Sequence, residues 1–289
     1  MNVSIIIPNY NGAELLKKNL TSVFDAARAY KQGEVEIIVV DDSSTDGSVD
    51  FIKLQKNAIK LIENKKNLGF SSTVNCGVAE ATGEIIILLN TDVAPEKNFL
   101  APLVKHFSDP SVFAVGCMDK SIEDGKVVLR GRGIGKWQRG FLVHARGEVD
   151  KTDTLWVSGG SGAFRKSIWD KLGGFNKLYN PFYWEDIDLS YRAVRAGYKI
   201  MFEPKSIVVH KHEEGIIKRK YSQFQIKIIA YRNQFIFVWQ NAKDFSLLLQ
   251  HFFWLPYHFS KALTSFDFAF FLGFFQAFLL LPKVIQSAK

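Results

Sequence analysis

The chain has 289 residues, a hydrophobic fraction of 47% and a formal net charge of +8. This length allows one large domain with an appendage, or two domains, and the apolar content suffices for a packed core. The positive charge favours an anionic partner, such as nucleic acid, anionic lipid or a phosphorylated substrate. The two cysteines, Cys76 and Cys117, have no metal-ligand spacing and imply no disulfide framework, so we expect a reducing compartment.

The first third of the chain predicts alternating strands and helices. The first apolar run has no basic segment before it, so it predicts a strand and not a signal peptide. Apolar runs predict strands at residues 3–7, 35–40, 58–62 and 84–89, and helical spacing predicts helices at 13–30, 48–57 and 71–81. This alternation is typical of βαβ units and a mainly parallel sheet.

Polar clusters follow three of the predicted strands, at residues 8–10, 41–42 and 90–92. Ligands of open α/β sheets bind beyond the carboxyl ends of the strands. We therefore expect the three clusters to converge on one cleft.

The middle of the chain has weaker periodicity. Residues 120–153 are rich in Gly, Arg and Lys and predict a hairpin or a mobile loop, followed by a strand at 154–158. The glycines of residues 159–162 allow close backbone approach to a ligand. A helix is predicted at 186–197, and a strand at 207–210 that ends in His210.

The C-terminal part is helical and aromatic. Residues 245–260 and 268–282 contain no charged side chain, yet each run is shorter than the roughly 20 residues needed to span a bilayer. They predict helices in the membrane interface or a re-entrant pair, so removing the chain from about Phe245 onward should release the protein from membranes. A preceding basic segment would contact anionic headgroups; it comprises Lys205, Lys211, Lys218, Arg219 and Lys220. An oligomer interface or a core-packed helical hairpin is the alternative.

Three carboxylates lie within the aromatic and aliphatic stretch from Tyr183 to Leu189: Glu185, Asp186 and Asp188. Carboxylates are rarely buried without a partner, a metal or a chemical role. An aromatic ring beside an acid also suits the C–H face of a sugar. The alternative is a helix start, at which the helix dipole favours acidic side chains.

These motifs, in this order, resemble a family 2 glycosyltransferase with the GT-A fold. The resemblance covers roughly residues 3–212 and rests on the segments 3–12, 39–48, 67–70, 81–84, 89–92, 159–163, 184–190, 196–198 and His210. Within the family, Asn-Thr-Asp at 90–92 and the run at 184–189 resemble a rhamnosyltransferase-like branch, which adds sugars to cell-surface polysaccharides or their lipid-linked precursors. The implied architecture is a Rossmann-like, mixed but mainly parallel sheet with flanking helices in residues 1–215, and a membrane-associating helical region in residues 216–289.

The resemblance implies an inverting transfer, which needs one base for the acceptor hydroxyl and a cation for the leaving diphosphate. Asp186 matches the catalytic base. Its neighbour Glu185 would assist catalysis and, with Trp184, bind the acceptor, whereas Asp188 would brace the helix.

The resemblance also implies a metal site and a nucleotide-sugar site. Asp92 and His210 would bind Mg²⁺ or Mn²⁺, although Asn90 stands where the family's Asp-x-Asp pattern begins. The nucleotide-sugar contacts would be Pro8, Tyr10, Asp41, Asp42, Asn67, Asn75, Asn90, Thr91, Gly160 and Ser161.

The expected partners are a nucleotide-diphosphate sugar donor, a saccharide or lipid-linked saccharide acceptor and an anionic membrane surface, without nucleic acid. The C-terminal helices also allow an oligomer. The expected location is the cytoplasmic face of the cell membrane, peripheral or monotopic. Two alternatives stay open: a nucleotidyltransferase acting on sugar phosphates, against which the lack of Lys or Arg before Lys17 counts, and a non-catalytic module that binds anionic lipid or nucleic acid.

Overall fold

Eleven strands and ten α-helices occupy the described part of the chain, which comprises residues 1–55, 58–123, 125–210, 217 and 220–287 of a computed structural model. The strands are β1 (Val3–Asn9), β2 (Val35–Asp41), β3 (Lys60–Glu63), β4 (Ile85–Leu89), β5 (Val93–Pro95), β6 (Val112–Glu123), β7 (Lys126–Arg130), β8 (Gly133–Gln138), β9 (Phe141–Arg146), β10 (Ser161–Arg165) and β11 (Lys199–His210). The helices are α1 (Ala13–Ala29), α2 (Ser48–Lys53), α3 (Phe70–Ala79), α4 (Leu100–Val104), α5 (Lys166–Leu172), α6 (Glu185–Arg195), α7 (Gln223–Asn241), α8 (Phe245–Thr264), α9 (Phe268–Leu279) and α10 (Leu281–Ser287).

Nine strands form one mixed sheet in the order β3-β2-β1-β4-β10-β6-β11-β5, with β7 paired to β6. β3, β2, β1 and β4 are parallel, as the βαβ pattern predicts. β10 then runs antiparallel between β4 and β6. Helices cover both faces, and for this reason β1 and β4 are apolar and buried along nearly their whole length.

The hairpin predicted within residues 120–153 is confirmed as β8 and β9, which pair outside the main sheet. The strand predicted at 154–158 is wrong. There the backbone N–H of Leu155 donates to the carbonyl of Gly133, and that of Val157 donates to the Ser190 hydroxyl. These N–H groups are bonded to the first residue of β8 and to a side chain, so the segment forms no continuous sheet ladder.

The C-terminal helices share a hydrophobic core with the rest of the chain. Buried Phe235 and Phe237 of α7 pack with Phe141 of the hairpin and with Trp184 and Ile187 beside the acidic run. Helices α7–α10 are therefore packed against the rest of the protein, in part through α7.

α9 approaches α7 closely at Gly273. A Cβ at this position would lie 2.6 Å from the Tyr231 Cβ and 2.9 Å from the Ile228 carbonyl oxygen. Within the described ranges no single helix has the length and apolarity to cross a bilayer, whereas α9 and α10, bent by 58°, meet that test as a pair.

Candidate functional site

A cleft of about 410 Å³ lies beyond the carboxyl ends of β1, β2 and β4. The predicted convergence of the polar clusters on one cleft is thus confirmed as geometry. Of the predicted site residues, those that line the cleft are Pro8, Tyr10, Asp42, Asn67, Asn90, Thr91, Asp92, Gly160, Ser161, Glu185, Asp186 and His210.

Asp42 fixes one side of the cleft. Its carboxylate accepts hydrogen bonds from the backbone N–H groups of Leu68 and Gly69, at 2.9 and 3.0 Å, and from the Asn64 amide at 2.9 Å. The Asn67 amide lies 3.4 Å from the Asp42 carbonyl oxygen. Asp42 therefore anchors the loop before α3 against the end of β2, where a planar ligand can lie beside Tyr10.

Three predicted site residues do not line the cleft. Asp41 is buried, and its carboxylate accepts from the Asn9 amide at 2.7 Å and from the Ser44 N–H at 2.8 Å. Asn75 is bonded through its side chain to both the N–H and the carbonyl of Phe175. The side chains of Asp41 and Asn75 therefore connect neighbouring segments of the protein, and none of these contacts places them against a nucleotide sugar.

Trp184 is likewise displaced from the predicted acceptor wall. Its ring is 6% exposed and packs against His144 and Phe237, with centroids 5.1 Å away in each case. The exposed ring at the cleft is that of the preceding residue, Tyr183. The direction of the two side chains depends on the unusual backbone of this turn, which the sequence pattern did not specify.

Tyr183 and Trp184 both have left-handed backbones, with φ of 73° and 77°. Non-glycine residues in this region cost on the order of 1–2 kcal/mol each. The buried Asn233 amide nitrogen of α7 lies 2.9 Å from the carbonyl oxygens of Tyr179, Phe182 and Tyr183. This contact holds the strained turn that delivers the two acids at the start of α6.

Glu185 and Asp186 are adjacent but have different partners. Asp186 accepts from the backbone N–H of Ile187 at 2.8 Å and of Gly159 at 3.3 Å. In contrast, Oε2 of Glu185 is buried and has no hydrogen-bond partner among the described residues. An unpaired buried acid oxygen at a cleft is positioned to meet a ligand.

These surroundings separate the two acids electrostatically. Burial, followed by the charge of Asp186, raises the pKa of Glu185 well above its ordinary value. Burial also raises the pKa of Asp186, but the N–H groups of Gly159 and Ile187 oppose this by stabilising the carboxylate. Asp186 is thus the acid that ionises first, and Glu185 the one that keeps its proton.

Asp188 braces α6, as predicted, but against other elements. Its carboxylate accepts from the Tyr179 hydroxyl at 3.1 Å and from the Asn241 amide of α7 at 2.7 Å, and it pairs with Arg192 at 2.8 Å. This buried network joins α6 to α7 and explains why Asp188 is kept away from the cleft.

A second acidic cluster lies at the end of β11. His210 Nε2 is 3.2 Å from Asp92 Oδ2, and Nδ1 is 3.1 Å from Asp119 Oδ2. Burial lowers the pKa of His210, but the hydrogen bonds and charges of Asp119 and Asp92 outweigh it and raise the pKa to about 9. Asp92, Asp119 and His210 all line the cleft.

Asp92 and His210 could supply only some of the ligands that a divalent cation needs. Among the residues that the structure describes, no three His, Cys, Asp or Glu side chains are arranged to hold a metal ion. Neighbouring ligands of one cation bound at roughly 2.1 Å are roughly 3 Å apart, close to the His210–Asp92 separation of 3.2 Å. This pair suits a cation whose other ligands come from a diphosphate and water.

Sequence reasoning missed Asp119 and Lys220 at the cleft. Asp119 lies on β6 and reaches His210 because β6 and β11 are parallel neighbours, which is a pairing that the pattern could not specify. The Lys220 ammonium lies 4.3 Å from the Tyr10 ring centroid, at the cleft and not with the C-terminal helices. Of the other predicted headgroup contacts, Lys205 is exposed on β11, and Lys211, Lys218 and Arg219 fall outside the described residues.

Comparison with known sequences gives a match to the profile described as "Glycosyl transferase family 2" over residues 4–173. One similar protein is the O-antigen chain rhamnosyltransferase RfbN of Salmonella typhimurium, which is 26% identical over 73% of this chain and 67% of its own length. The next curated relatives are longer, and the chain spans about 43–51% of their length.

Two solved structures share the fold. GalNAc-T7 with UDP, GalNAc and Mn²⁺ superposes with a TM-score of 0.65 at 20% identity, over 84% of this chain and 49% of that one. The mannosyltransferase PcManGT from Pyrobaculum calidifontis, in complex with GDP-Man and Mn²⁺, gives a TM-score of 0.60 at 21% identity, over 97% and 75%. The GT-A architecture that the resemblance implied is confirmed.

Proposed function

Since the chain belongs to glycosyl transferase family 2, we propose that it moves a sugar from a nucleotide-diphosphate donor to a saccharide hydroxyl with inversion at the anomeric carbon. The observation that carries this is the pairing, across one cleft, of an ionisable acid at the start of α6 with an Asp–His pair at the ends of β4 and β11. An in-line displacement needs a base on one side of the anomeric carbon and charge neutralisation on the other.

Asp186 is the base in this proposal. It sits at the cleft with its carboxylate held by the Gly159 and Ile187 N–H groups, so its orientation is fixed before the acceptor arrives. Its raised pKa gives a carboxylate of greater basicity than a solvated one. Glu185, protonated and with Oε2 unpartnered among the described residues, donates a hydrogen bond to the acceptor or donor sugar.

In the same proposal Asp92 and His210 would hold the divalent cation, Mg²⁺ or Mn²⁺, which would displace the proton from Nε2 of His210. When bound, such a cation supplies positive charge to the leaving diphosphate. Asp119 orients the imidazole of His210 through Nδ1, which is the usual second contact of a metal-binding histidine. Mn²⁺ in the two solved structures supports divalent cation use.

Our proposal for the class of donor and acceptor rests on the names of similar proteins. RfbN and a second similar protein, WbaN of Salmonella anatum at 24% identity, are named as O-antigen chain rhamnosyltransferases. We therefore place the chain in a rhamnosyltransferase-like branch that extends a surface polysaccharide or its lipid-linked precursor. Tyr183, exposed at the cleft beside the acids, is the aromatic surface on which the acceptor ring stacks.

The experiment compares Asp186→Asn with the wild type on a panel of nucleotide sugars. Loss of the base should lower transfer by about 10²–10⁴-fold, while donor binding, read as thermal stabilisation with divalent cation, persists. Asp50→Asn on the exposed face of α2 is the matched control and should leave both readouts unchanged. Undiminished transfer by Asp186→Asn would move the base to another residue, and no turnover of any donor by the wild type would refute the transferase proposal.

A further inference from the structure

The outward surface of α8 and α9 is apolar where a water-facing helix is normally polar. Both helices expose large side chains at helical spacing, so that each presents one continuous stripe to the outside. We refer to these residues as the aromatic face: Phe245, Leu249 and Phe253 on α8, and Phe268, Leu272 and Phe275 on α9. Their exposed fractions run from 44% to 77%.

The opposite surface of α9 is already occupied by the protein. Ala269, Phe270, Gly273 and Ala277 are buried, and Gly273 sits against α7. Helix α9 is thus apolar on both sides, although only one side is covered. A helix that is apolar all round normally has an apolar environment all round, so the aromatic face requires a cover.

Charge at the edge of this surface indicates an anionic cover. Residues 245–287 contain a single acidic residue, Asp267, whose carboxylate is bound by the Lys227 ammonium at 2.8 Å and the Tyr231 hydroxyl at 2.7 Å. The basic residues Lys261 and Lys283 of the same stretch are exposed. Within the described part of this stretch, the exposed charge is therefore positive.

Arg139, in the turn between β8 and β9, adds to this edge. Its guanidinium lies 5.2 Å from the Trp254 ring and 4.7 Å from the Tyr257 ring, and it donates to the Tyr257 hydroxyl at 2.6 Å. Trp, Tyr and Arg are the side chains that concentrate at the headgroup level of a bilayer. Phe253, beside Trp254 on the same helix, is 77% exposed.

We propose that the aromatic face lies in the interface of an anionic lipid bilayer, with Arg139 and Lys261 at the headgroups and α8 and α9 parallel to the membrane plane. A protein partner or a second copy is less well matched, because protein interfaces carry a polar rim and about one hydrogen bond per 100–200 Å². The stripes of α8 and α9 offer mainly phenylalanine and leucine.

The first test removes the apolar contact while keeping the fold. Full-length protein is sedimented with vesicles of phosphatidylcholine mixed with phosphatidylglycerol, and Phe253→Asp and Phe275→Asp should each lower binding by at least about tenfold. Leu54→Asp, an equally drastic change at the 81% exposed residue that ends α2, is the control and should bind as the wild type does. Each variant must keep the wild-type melting temperature.

The second test removes charge. Arg139→Gln with Lys261→Gln should weaken binding to the anionic vesicles by about fivefold per charge and leave binding to pure phosphatidylcholine unchanged. Arg28→Gln is the control, because Arg28 forms an exposed ion pair with Asp25 on α1. The proposal would be overturned if the wild-type protein bound neither type of vesicle. It would also be overturned if the protein formed a dimer in solution that Phe253→Asp dissociated.

Discussion

Glu185 and Asp186 are neighbours in sequence whose roles are set by the atoms that face them. Asp186 has two backbone N–H donors, whereas the buried Oε2 of Glu185 has none within the described chain. Hydrogen bonds to a carboxylate stabilise its charged form, and burial without them stabilises the neutral form. One residue can therefore accept a proton at neutral pH while the other donates a hydrogen bond.

This difference predicts how stability depends on pH. The folded pKa of Glu185 lies above its ordinary value near 4.5. Its contribution to stability is therefore fully present below pH 4.5 and is lost as pH rises through the folded pKa, by up to about 1.4 kcal/mol per pH unit. Glu185→Gln cannot titrate, so its melting temperature should gain on the wild type as pH increases from 4.5 to 8. Thermal melts across this range test it, and a constant difference would contradict the assignment of the raised pKa.

The contact of Asp119 with His210 predicts an effect on metal binding that can be measured apart from turnover. If it orients His210, Asp119→Asn should weaken Mn²⁺ affinity by about 10–100-fold, as loss of such contacts typically does. Free Mn²⁺ measured by electron paramagnetic resonance, in the presence of nucleoside diphosphate, gives a readout that does not depend on turnover. His210→Ala should have the larger effect, and Asp109→Asn, on an exposed ion pair with Lys199, is the control. Equal Mn²⁺ binding by Asp119→Asn and the wild type would remove Asp119 from the site.

At the level of elements, the parallel strands were predictable because their apolar runs are distinct and their carboxyl ends carry polar residues. Only the last four residues of the long β11 were predicted, since Glu203, Pro204 and Lys205 interrupt the apolar pattern of a strand that spans Lys199–His210. The segment 154–158 has strand-like composition, but Ser190 and Gly133 take its hydrogen bonds. The apolar composition of a segment predicts that it is buried, but it does not predict which backbone groups it bonds to.

The same reason accounts for what was missed at the site. Asp186, Asp92 and His210 stand in recognisable motifs at the ends of elements. Asn233 lies in the middle of α7, where an aromatic sequence gives no sign that one amide faces the carbonyls of a loop 50 residues earlier. A residue that acts through such a contact is visible only once the chain is folded.

Helix α7 should therefore affect catalysis without touching substrate. Asn233→Ala removes the donor that the carbonyls of Tyr179, Phe182 and Tyr183 share, which should cost about 3 kcal/mol of stability. The left-handed turn at Tyr183 and Trp184 should relax, lowering kcat through misplacement of Asp186. Gln234→Ala at the adjacent, partly exposed position is the control. A variant that loses stability but keeps full kcat at low temperature would show that Asn233 does not position the turn.

At the scale of the whole molecule, the C-terminal helices α8 and α9 pack into the hydrophobic core on one side and expose apolar side chains on the other. Phe270 and Phe274 of α9 lie 5.3 and 5.1 Å from the buried ring of Phe235, and His251 of α8 packs on Phe141 of the hairpin. The outer stripes of the same two helices are exposed. A proposed membrane contact is thereby joined through α7 to the turn that carries Asp186, so a lipid-linked acceptor would meet a cleft held at a fixed distance from the bilayer.

This arrangement changes the expected outcome of deleting residues 245–289. From the sequence, removal of the tail would yield a soluble form. From the structure, it uncovers Phe235 and Phe141 and removes the buried Phe270. Loss of one buried phenylalanine side chain costs about 3–5 kcal/mol against a total stability of about 5–15 kcal/mol. We expect residues 1–244 to aggregate or to melt without cooperativity, whereas full-length Phe253→Asp stays folded. Differential scanning calorimetry of both proteins distinguishes the two expectations. A truncated chain with a single sharp transition near that of the full chain would show that α8 and α9 serve the surface alone, because their inner faces would then contribute nothing to the core.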